Sequence, residues 1–346
     1  MLLNAFGDAQ SAWFAPRDSL RELGLSSKVI GNLIEARSSD VLDRVWAKIE
    51  HDRITLLTWE DEDYPQRLKE IPNTPPLLYL KGSLKTEDDW SVAIVGTRRI
   101  TAYGREVTAQ IASTLAHSGV TIVSGLARGI DAVAHTAALD AGGRTIAVLG
   151  CGVDIIYPPE NRRLAERIIE NGAILSDYPP GTPPEANNFP PRNRIISGIS
   201  RAVIVVEAGR KSGALITARF AADQGKDVFA VPGNIFAPQS RGTNHLIQQG
   251  AHPLLDPKDV MEVLDMTMVN EQRNVRIVLP ASATEAQLYQ LLDFEPMHID
   301  EITVKTALPI GEVSSTLALM ELKGMVRQVG GMRYVAIRDE TVGYEP

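Results

Sequence analysis

The sequence predicts an α/β protein: a doubly wound, mostly parallel sheet, preceded by a small helical module and followed by a compact unit of helices and a hairpin. Three observations carry this. Between Ser91 and Gly233, short apolar, β-branched runs alternate with stretches of helical spacing, the pattern of buried parallel strands joined by crossover helices. These runs stop at small residues and turn basic, as strand tips do when they face a ligand. Downstream, three helical stretches precede two short strands that meet at Gly330-Gly331.

Bulk composition narrows the class. A chain of 346 residues is long enough for a sizeable core and more than one domain. Its single cysteine, Cys151, excludes an internal disulfide framework and fits a reducing compartment. Cys151 reads as a small buried residue at a strand tip, or as a thiol nucleophile without an evident histidine partner. No cysteine–histidine spacing suggests zinc, and neither a membrane-length apolar run nor a basic-then-apolar leader is visible. A cytoplasmic protein without membrane contact, metal or cofactor is expected. The net charge of −8 argues against a surface that binds nucleic acid all over. Residues 88–265 are nevertheless close to neutral while both flanks are acidic, so any polyanion site is expected there.

Residues 1–53 read as short helices: one over 20–25, one over 28–37 capped by Ser26 or Ser27, and one over 41–52 capped by Asp40. Leu42, Val45, Trp46 and Ile49 form the apolar face of the last. Their acidic balance favours a packing or interaction module over a DNA-backbone one. Strands are expected at 54–59 and 77–82, joined by a proline-rich connection that stays out of helices and covers a sheet edge. Glu87-Asp88-Asp89 reads as a solvated run. Next come a strand-like run over 91–99 that stops at a small residue and turns basic, a helix over 104–118 and a second such run over 121–131. A helix over 133–141 capped by Asp131, a strand over 144–152, a helix over 161–171 and a strand over 173–178 continue the alternation. A long loop, 179–191, leads into a helix opening at Arg192 with Ile195, Ile196 and Ile199 inward. Strands at 202–208 and 227–233 and a helix over 240–250 complete the sheet region.

Five strand tips thus end in Gly, Ser or Thr, most of them near Arg or Lys: Gly96-Thr97-Arg98-Arg99, Ser124-Gly125 with Arg128, Gly150–Gly152, Gly209–Gly213 with Arg210 and Lys211, and Pro232-Gly233. Small residues let a backbone approach a ligand, free N–H groups at the following helix starts attract anions, and arginine adds a fork matched to phosphate. A compact phosphate ligand needs one or two such tips; a chain of phosphates lying across a sheet uses several. Neither GxGxxG nor GxxxxGK[ST] occurs at these tips, so a dinucleotide or P-loop site is not indicated. Arg192, Asn193 and Arg194 stand at a helix start, where basic groups complement a bound anion rather than the helix dipole. The alternative pairs the arginines with Asp177 or Glu185. Phe189 beside them stacks on a base or anchors the core.

Residues 266–283 read as a linker and 284–338 as a winged helix. Helices at 284–292, 299–306 and 309–322 are followed by the hairpin; the third turns Val313, Leu317 and Met320 inward and stops at Lys323-Gly324. It carries Glu312 and Glu321 but no Arg or Lys, which favours protein contact over major-groove reading.

The motifs Ile94-Val95-Gly96-Thr97-Arg98, Ser124 to Asp131, Leu149 to Asp154, Phe189 to Ser200, Glu207 to Ala218, Val231-Pro232-Gly233 and Gly242-Thr243-Asn244 together resemble the bacterial DNA-processing protein A family (DprA, also called Smf). The resemblance runs from about Tyr64 to Ala251. It implies an extended Rossmann-like DNA-binding domain over 54–265, with a SAM-like or helix-hairpin-helix-like module at 1–53. It also implies single-stranded DNA as ligand and loading of the RecA recombinase onto it, in natural transformation and homologous recombination, by a homodimer joined through that domain. The family's Gly-Ser-Arg motif falls on Gly96, Thr97 and Arg98, where Thr97 keeps the hydroxyl. The DNA contacts implied by position are Gly96, Thr97, Arg98, Ser124, Gly125, Phe189, Arg192, Asn193, Arg194, Lys211 and Ser212. Many relatives carry a basic residue just after Tyr157-Pro158; here Pro159-Glu160 stands there.

The enzymatic alternative is a nucleoside monophosphate phosphoribohydrolase, whose fold is similar. Such enzymes use a Pro-Gly-Gly-x-Gly-Thr loop and a catalytic glutamate. This chain has Val231-Pro232-Gly233-Asn234-Ile235, and its comparable strand-end acid, Glu207, is expected to partner a nearby arginine. A non-enzymatic binding protein is the expectation.

Overall fold

In a computed structural model, which describes residues 2–37, 40–264, 282–292, 296–322, 325–329 and 331–336, the alternating segments fold into a nine-stranded sheet. Its strands are β1 (Thr55–Thr58), β2 (Leu77–Gly82), β3 (Ser91–Val95), β4 (Thr121–Ser124), β5 (Thr145–Val148), β6 (Gly172–Ser176), β7 (Ala202–Val205), β8 (Asp227–Ala230) and β9 (His252–Pro253). The spatial order is β1-β2-β6-β5-β4-β3-β7-β8-β9. From β6 to β9 all pairings are parallel; β2 joins β6 antiparallel and β1 joins β2 antiparallel, so the first hairpin extends the sheet edge. The chain runs outward from β3 through β4, β5 and β6, then returns to place β7 against the other side of β3. That reversal is a topological switch point, where open α/β sheets bind ligands.

The central strands are buried because both faces are covered. Val92, Ala93 and Ile94 of β3 and Val203, Ile204 and Val205 of β7 are fully buried. The crossover helices are α7 (Ala102–His117), α8 (Ile130–Asp140), α9 (Arg162–Asn171), α10 (Phe189–Ile199), α11 (Ala214–Asp223) and α12 (Arg241–Gln248). Before them lie α1 (Leu2–Phe6), α2 (Ala9–Phe14), α3 (Arg17–Glu22), α4 (Ser27–Arg37), α5 (Val41–His51) and the short α6 (Gln66–Lys69); α13 (Pro257–Val263) follows β9. The chain divides into two compact units, residues 1–264 and 265–346.

Several expectations change in the structure. Asp40 does not cap α5; its carboxylate pairs with Arg44 at 3.1 Å. On α5 only Ile49 is buried, while Leu42 and Trp46 are exposed. Pro65 sits at the start of α6 inside the connection expected to be helix-free. Helix α10 begins at Phe189, not Arg192, because Pro190 and Pro191 fit its first turn, where their missing N–H groups cost nothing. Asp131 lies inside the first turn of α8, and Gly129 takes the cap position. The two-residue β9 carries no sequence signal, whereas α13 has one in Asp256, Pro257 and Asp259, its cap, first-turn proline and capping box.

The run Glu87-Asp88-Asp89 is not simply solvated. Asp88 is buried and accepts Arg144 Nε and Nη2, each at 2.8 Å, with Thr121 Oγ1 and Lys85 N also at 2.8 Å. It ties the N-terminal ends of β3, β4 and β5. Asp89 pairs with Arg67 and Arg201.

The second unit holds α14 (Ala283–Leu291), β10 (Met297–His298), α15 (Ile299–Thr306), α16 (Ile310–Leu322), β11 (Val326–Gln328) and β12 (Arg333–Ala336). Its sheet order is β10-β12-β11, which makes the two-stranded wing plus one bridging strand that the sequence does not announce. Val313, Leu317 and Met320 of α16 are fully buried. Residues 266–281 of the expected linker, and Lys323-Gly324, lie outside the described residues. Among the described residues no helix is long and apolar enough to cross a membrane.

Candidate functional site

A groove of about 750 Å³ opens at the C-terminal ends of β3, β4 and β7. Gly96, Thr97, Arg98, Phe189, Arg192, Asn193, Lys211 and Ser212 all line it, together with Asp131 and Tyr157. Gly125 lines an adjoining cleft with Arg98, Arg128 and Tyr157. The switch point therefore brings together most of the residues expected at the site.

The β3 tip is a fixed platform. Thr97 N donates to Glu207 O at 2.7 Å, and Thr97 O accepts from Ile130 N at 3.2 Å. Gly96 must be glycine, since a Cβ would meet Ile130 and, at 2.9 Å, Glu207 O. Arg99 N donates to Thr97 Oγ1 at 3.1 Å. On this base Arg98 is exposed, forms no ion pair among the described residues, and lies 5.6 Å over the ring of Phe189. Tyr157, on the loop after β5, places its ring 5.8 Å from Phe189. The pair makes an aromatic wall; an aromatic in a loop beyond a strand tip was the signal for Tyr157.

Arg192 lines the groove only as its buried floor. Its guanidinium is 4% exposed and donates to Gly125 O at 3.1 Å and to Val148 O. Burial pulls its pKa down to about 10, against the pull of Asp131. From the other side, Asp131 accepts Gly125 N at 3.2 Å and Ala127 N at 3.3 Å. Burial raises the Asp131 pKa, and Arg192 counters that rise. One acid and one base thus hold the Gly125 turn from opposite ends. A Cβ on Gly125 would meet the Arg192 fork at 2.6 Å.

Two expected contacts are not on the groove. Ser124 is fully buried and donates to Ile94 O at 2.6 Å. Arg194 turns away to pair with Asp177 at 2.9 Å, one of the two alternatives for it. Arg192 shares a helical stripe with Ile195, Ile196 and Ile199, at +3, +4 and +7, which is the sequence signal for its burial. Asn193 reaches Gly213 O at 3.4 Å, and Ser212 Oγ accepts Ala214 N at 3.3 Å. Lys211 is exposed at the rim.

The β8 tip does not join the others: Gly233 is closed by Asn244, N to Oδ1 at 3.1 Å and O to Nδ2 at 2.9 Å. Glu207 is buried, but its partner is Thr101 rather than an arginine. It accepts Thr101 N at 3.0 Å and Thr101 Oγ1 at 2.5 Å, at the start of α7. Cys151 is buried, donates to Ile155 O at 3.2 Å, and has its thiol pushed up to about 11 by burial, the opposite of an activated nucleophile.

Comparison with known proteins agrees with this fold. The family model for DNA recombination-mediator protein A matches residues 55–265, and that for the DprA winged helix domain matches 277–332. Protein Smf of Synechocystis sp. is 39% identical over 362 residues, covering 94% of this chain and 91% of that protein. The crystal structure of DprA from Streptococcus pneumoniae superposes with a TM-score of 0.66 at 37% identity, covering 75% of this chain and 90% of that one. DNA processing protein A from Helicobacter pylori, whose structure describes a single-stranded DNA binding mode, superposes with a TM-score of 0.56 at 35% identity, covering 61% and 95%. A sheet whose switch-point groove is lined by the Gly96-Thr97-Arg98 tip, and a family model that spans most of that sheet, lead to one conclusion: the chain belongs to the DNA recombination-mediator protein A family.

Proposed function

We propose that this chain binds single-stranded DNA in the groove at the β3, β4 and β7 tips and loads the RecA recombinase onto the bound strand. The observation that carries the reading is Arg98: an exposed guanidinium on a hydrogen-bonded platform, over an aromatic ring and without an internal ion pair among the described residues. Such a group suits a backbone phosphate, and the Phe189 and Tyr157 rings beside it suit an unpaired base. Lys211 at the β7 tip extends the positive rim. Gly96, Thr97, Asn193 and Ser212 shape the surface, while Arg192, Ser124 and Gly125 hold the floor. Phosphate contacts fix position without reading sequence, so binding tolerates any sequence.

The role in natural transformation and recombination and the homodimer rest on the family resemblance; a cytoplasmic site of action rests on the single cysteine, Cys151. The reading is non-enzymatic: Glu207, the acid a hydrolase needs, is engaged by the α7 start.

The test is fluorescence anisotropy of a labelled oligothymidine against duplex of the same length, for wild type and Arg98→Ala, over a salt series. Single-strand preference is expected, with a salt slope that falls by about 0.7 in the variant. An unchanged slope removes Arg98 from the site; no binding at low salt overturns the reading.

A further inference from the structure

We propose that Glu160 is an internal competitor for phosphate at Arg128, so that a second phosphate subsite at the β4 tip opens only when that ion pair is displaced. The proposal rests on the single-stranded DNA reading and adds a gate to the same groove.

Arg128 is placed beside Arg98 by backbone contact. Gly129, at φ +80°, packs so closely on the β3 tip that a Cβ would meet Thr97 O and lie 2.9 Å from Arg98 Cα. Both arginines line one cleft, with the Tyr157 and Phe189 rings forming its wall. A phosphate chain held at Arg98 therefore passes Arg128 as its next cation. In the free protein that cation is occupied: Arg128 Nε donates to Glu160 Oε1.

The acid is built into position. Glu160 belongs to a tight helical turn, Pro159–Asn161, whose Asn161 Nδ2 donates to Leu126 O at 2.9 Å. One turn thus carries the carboxylate and is tied to the very loop that carries Arg128. The pair is also accessible, with side chains 59% and 49% exposed. An exposed pair of this kind is weak, and a phosphate offers the guanidinium two oxygens in its place. Displacement leaves Glu160 facing the incoming anion, so the subsite fills only against that repulsion.

The experiment is oligothymidine anisotropy over a salt series with four variants. Glu160→Gln is expected to bind three- to fivefold tighter at low salt, with a slope steeper by about 0.7, the mark of one more phosphate neutralised. Glu170→Gln, which removes the same charge at the far end of α9, leaves the slope unchanged. Arg128→Ala in the Glu160→Gln background cancels the gain, while Arg128→Ala alone binds more weakly than wild type, because it leaves the Glu160 carboxylate unpaired beside the cleft. An unchanged slope in Glu160→Gln, an equal effect of Glu170→Gln, or a gain that survives Arg128→Ala overturns the gate. Failure of the underlying reading shows separately, as wild type without salt-sensitive binding of the oligonucleotide.

Discussion

Arg192→Met is the most searching perturbation of the site's foundation. The side chain keeps similar length but loses the fork that donates to Gly125 O and Val148 O. It also leaves Asp131 buried without its compensating charge. Breaking one partner of a buried charged arrangement costs about 3–5 kcal/mol. For a unit of this size that lowers Tm by roughly 10 °C. The cost carries a pH signature. Burial already holds the Asp131 pKa above its ordinary 3.8, and loss of Arg192 raises it further. A carboxyl raised in the folded state favours folding most below its ordinary value, and that stability is lost as pH rises through the folded value. The penalty of Arg192→Met is therefore largest at neutral pH and shrinks as pH falls through the raised Asp131 value. Urea unfolding between pH 4.5 and 8, on wild type, Arg192→Met and Arg192→Met with Asp131→Asn, measures it. The double variant should be less costly at pH 8 than the single. A cost below about 1 kcal/mol, or one that does not vary with pH, refutes the clamp.

Three further predictions concern neighbouring elements. Asp88→Asn, at the opposite end of the sheet from the groove, should cost about 2–3 kcal/mol in urea unfolding through its bond to Arg144, yet leave oligothymidine affinity unchanged. Gly129→Ala forces a Cβ onto Thr97 O at a positive φ; it should cost about 2–4 kcal/mol and weaken oligothymidine binding, because the two arginine-bearing tips can no longer touch. Glu207→Gln should lower stability by about 1–2 kcal/mol through Thr101, while ribose 5-phosphate release from AMP stays absent in both proteins. Release by wild type that the variant abolishes would replace the binding reading with a hydrolase.

The sheet was legible because buried parallel strands write themselves as β-branched runs such as Val92 to Val95 and Ala202 to Val206, whatever surrounds them. Strand tips were legible as groove-lining for the same topological reason. Partners distant in sequence were not. Asp88 and Arg144 meet across 56 positions, and Glu207 finds Thr101 across 106, so neither local charge nor local spacing announces them. The two-residue β9 is too short to carry a period at all. The start of α10 was hidden by its own prolines, which read as loop residues but also suit a helical first turn.

The amides at the strand tips change how the site must grip its ligand. The sequence suggests free N–H groups at helix starts as the anion donors, yet those of Thr97, Arg99, Gly125 and Ala127 all have internal acceptors. So do those of Ser212 and Ala214 at the β7 tip. A small phosphorylated ligand held in such a turn would need these donors, as nucleotide-binding loops do. What faces the groove instead is cationic side chains on separate tips and two aromatic rings. Charges spaced along an open groove hold several phosphates weakly rather than one phosphate tightly. Affinity should therefore climb with oligothymidine length until the tips are spanned, then level off, while a mononucleotide shows no measurable competition at equal phosphate concentration. Competition by the mononucleotide would mean that one enclosed subsite dominates, and that the strand-tip array is scaffold rather than grip.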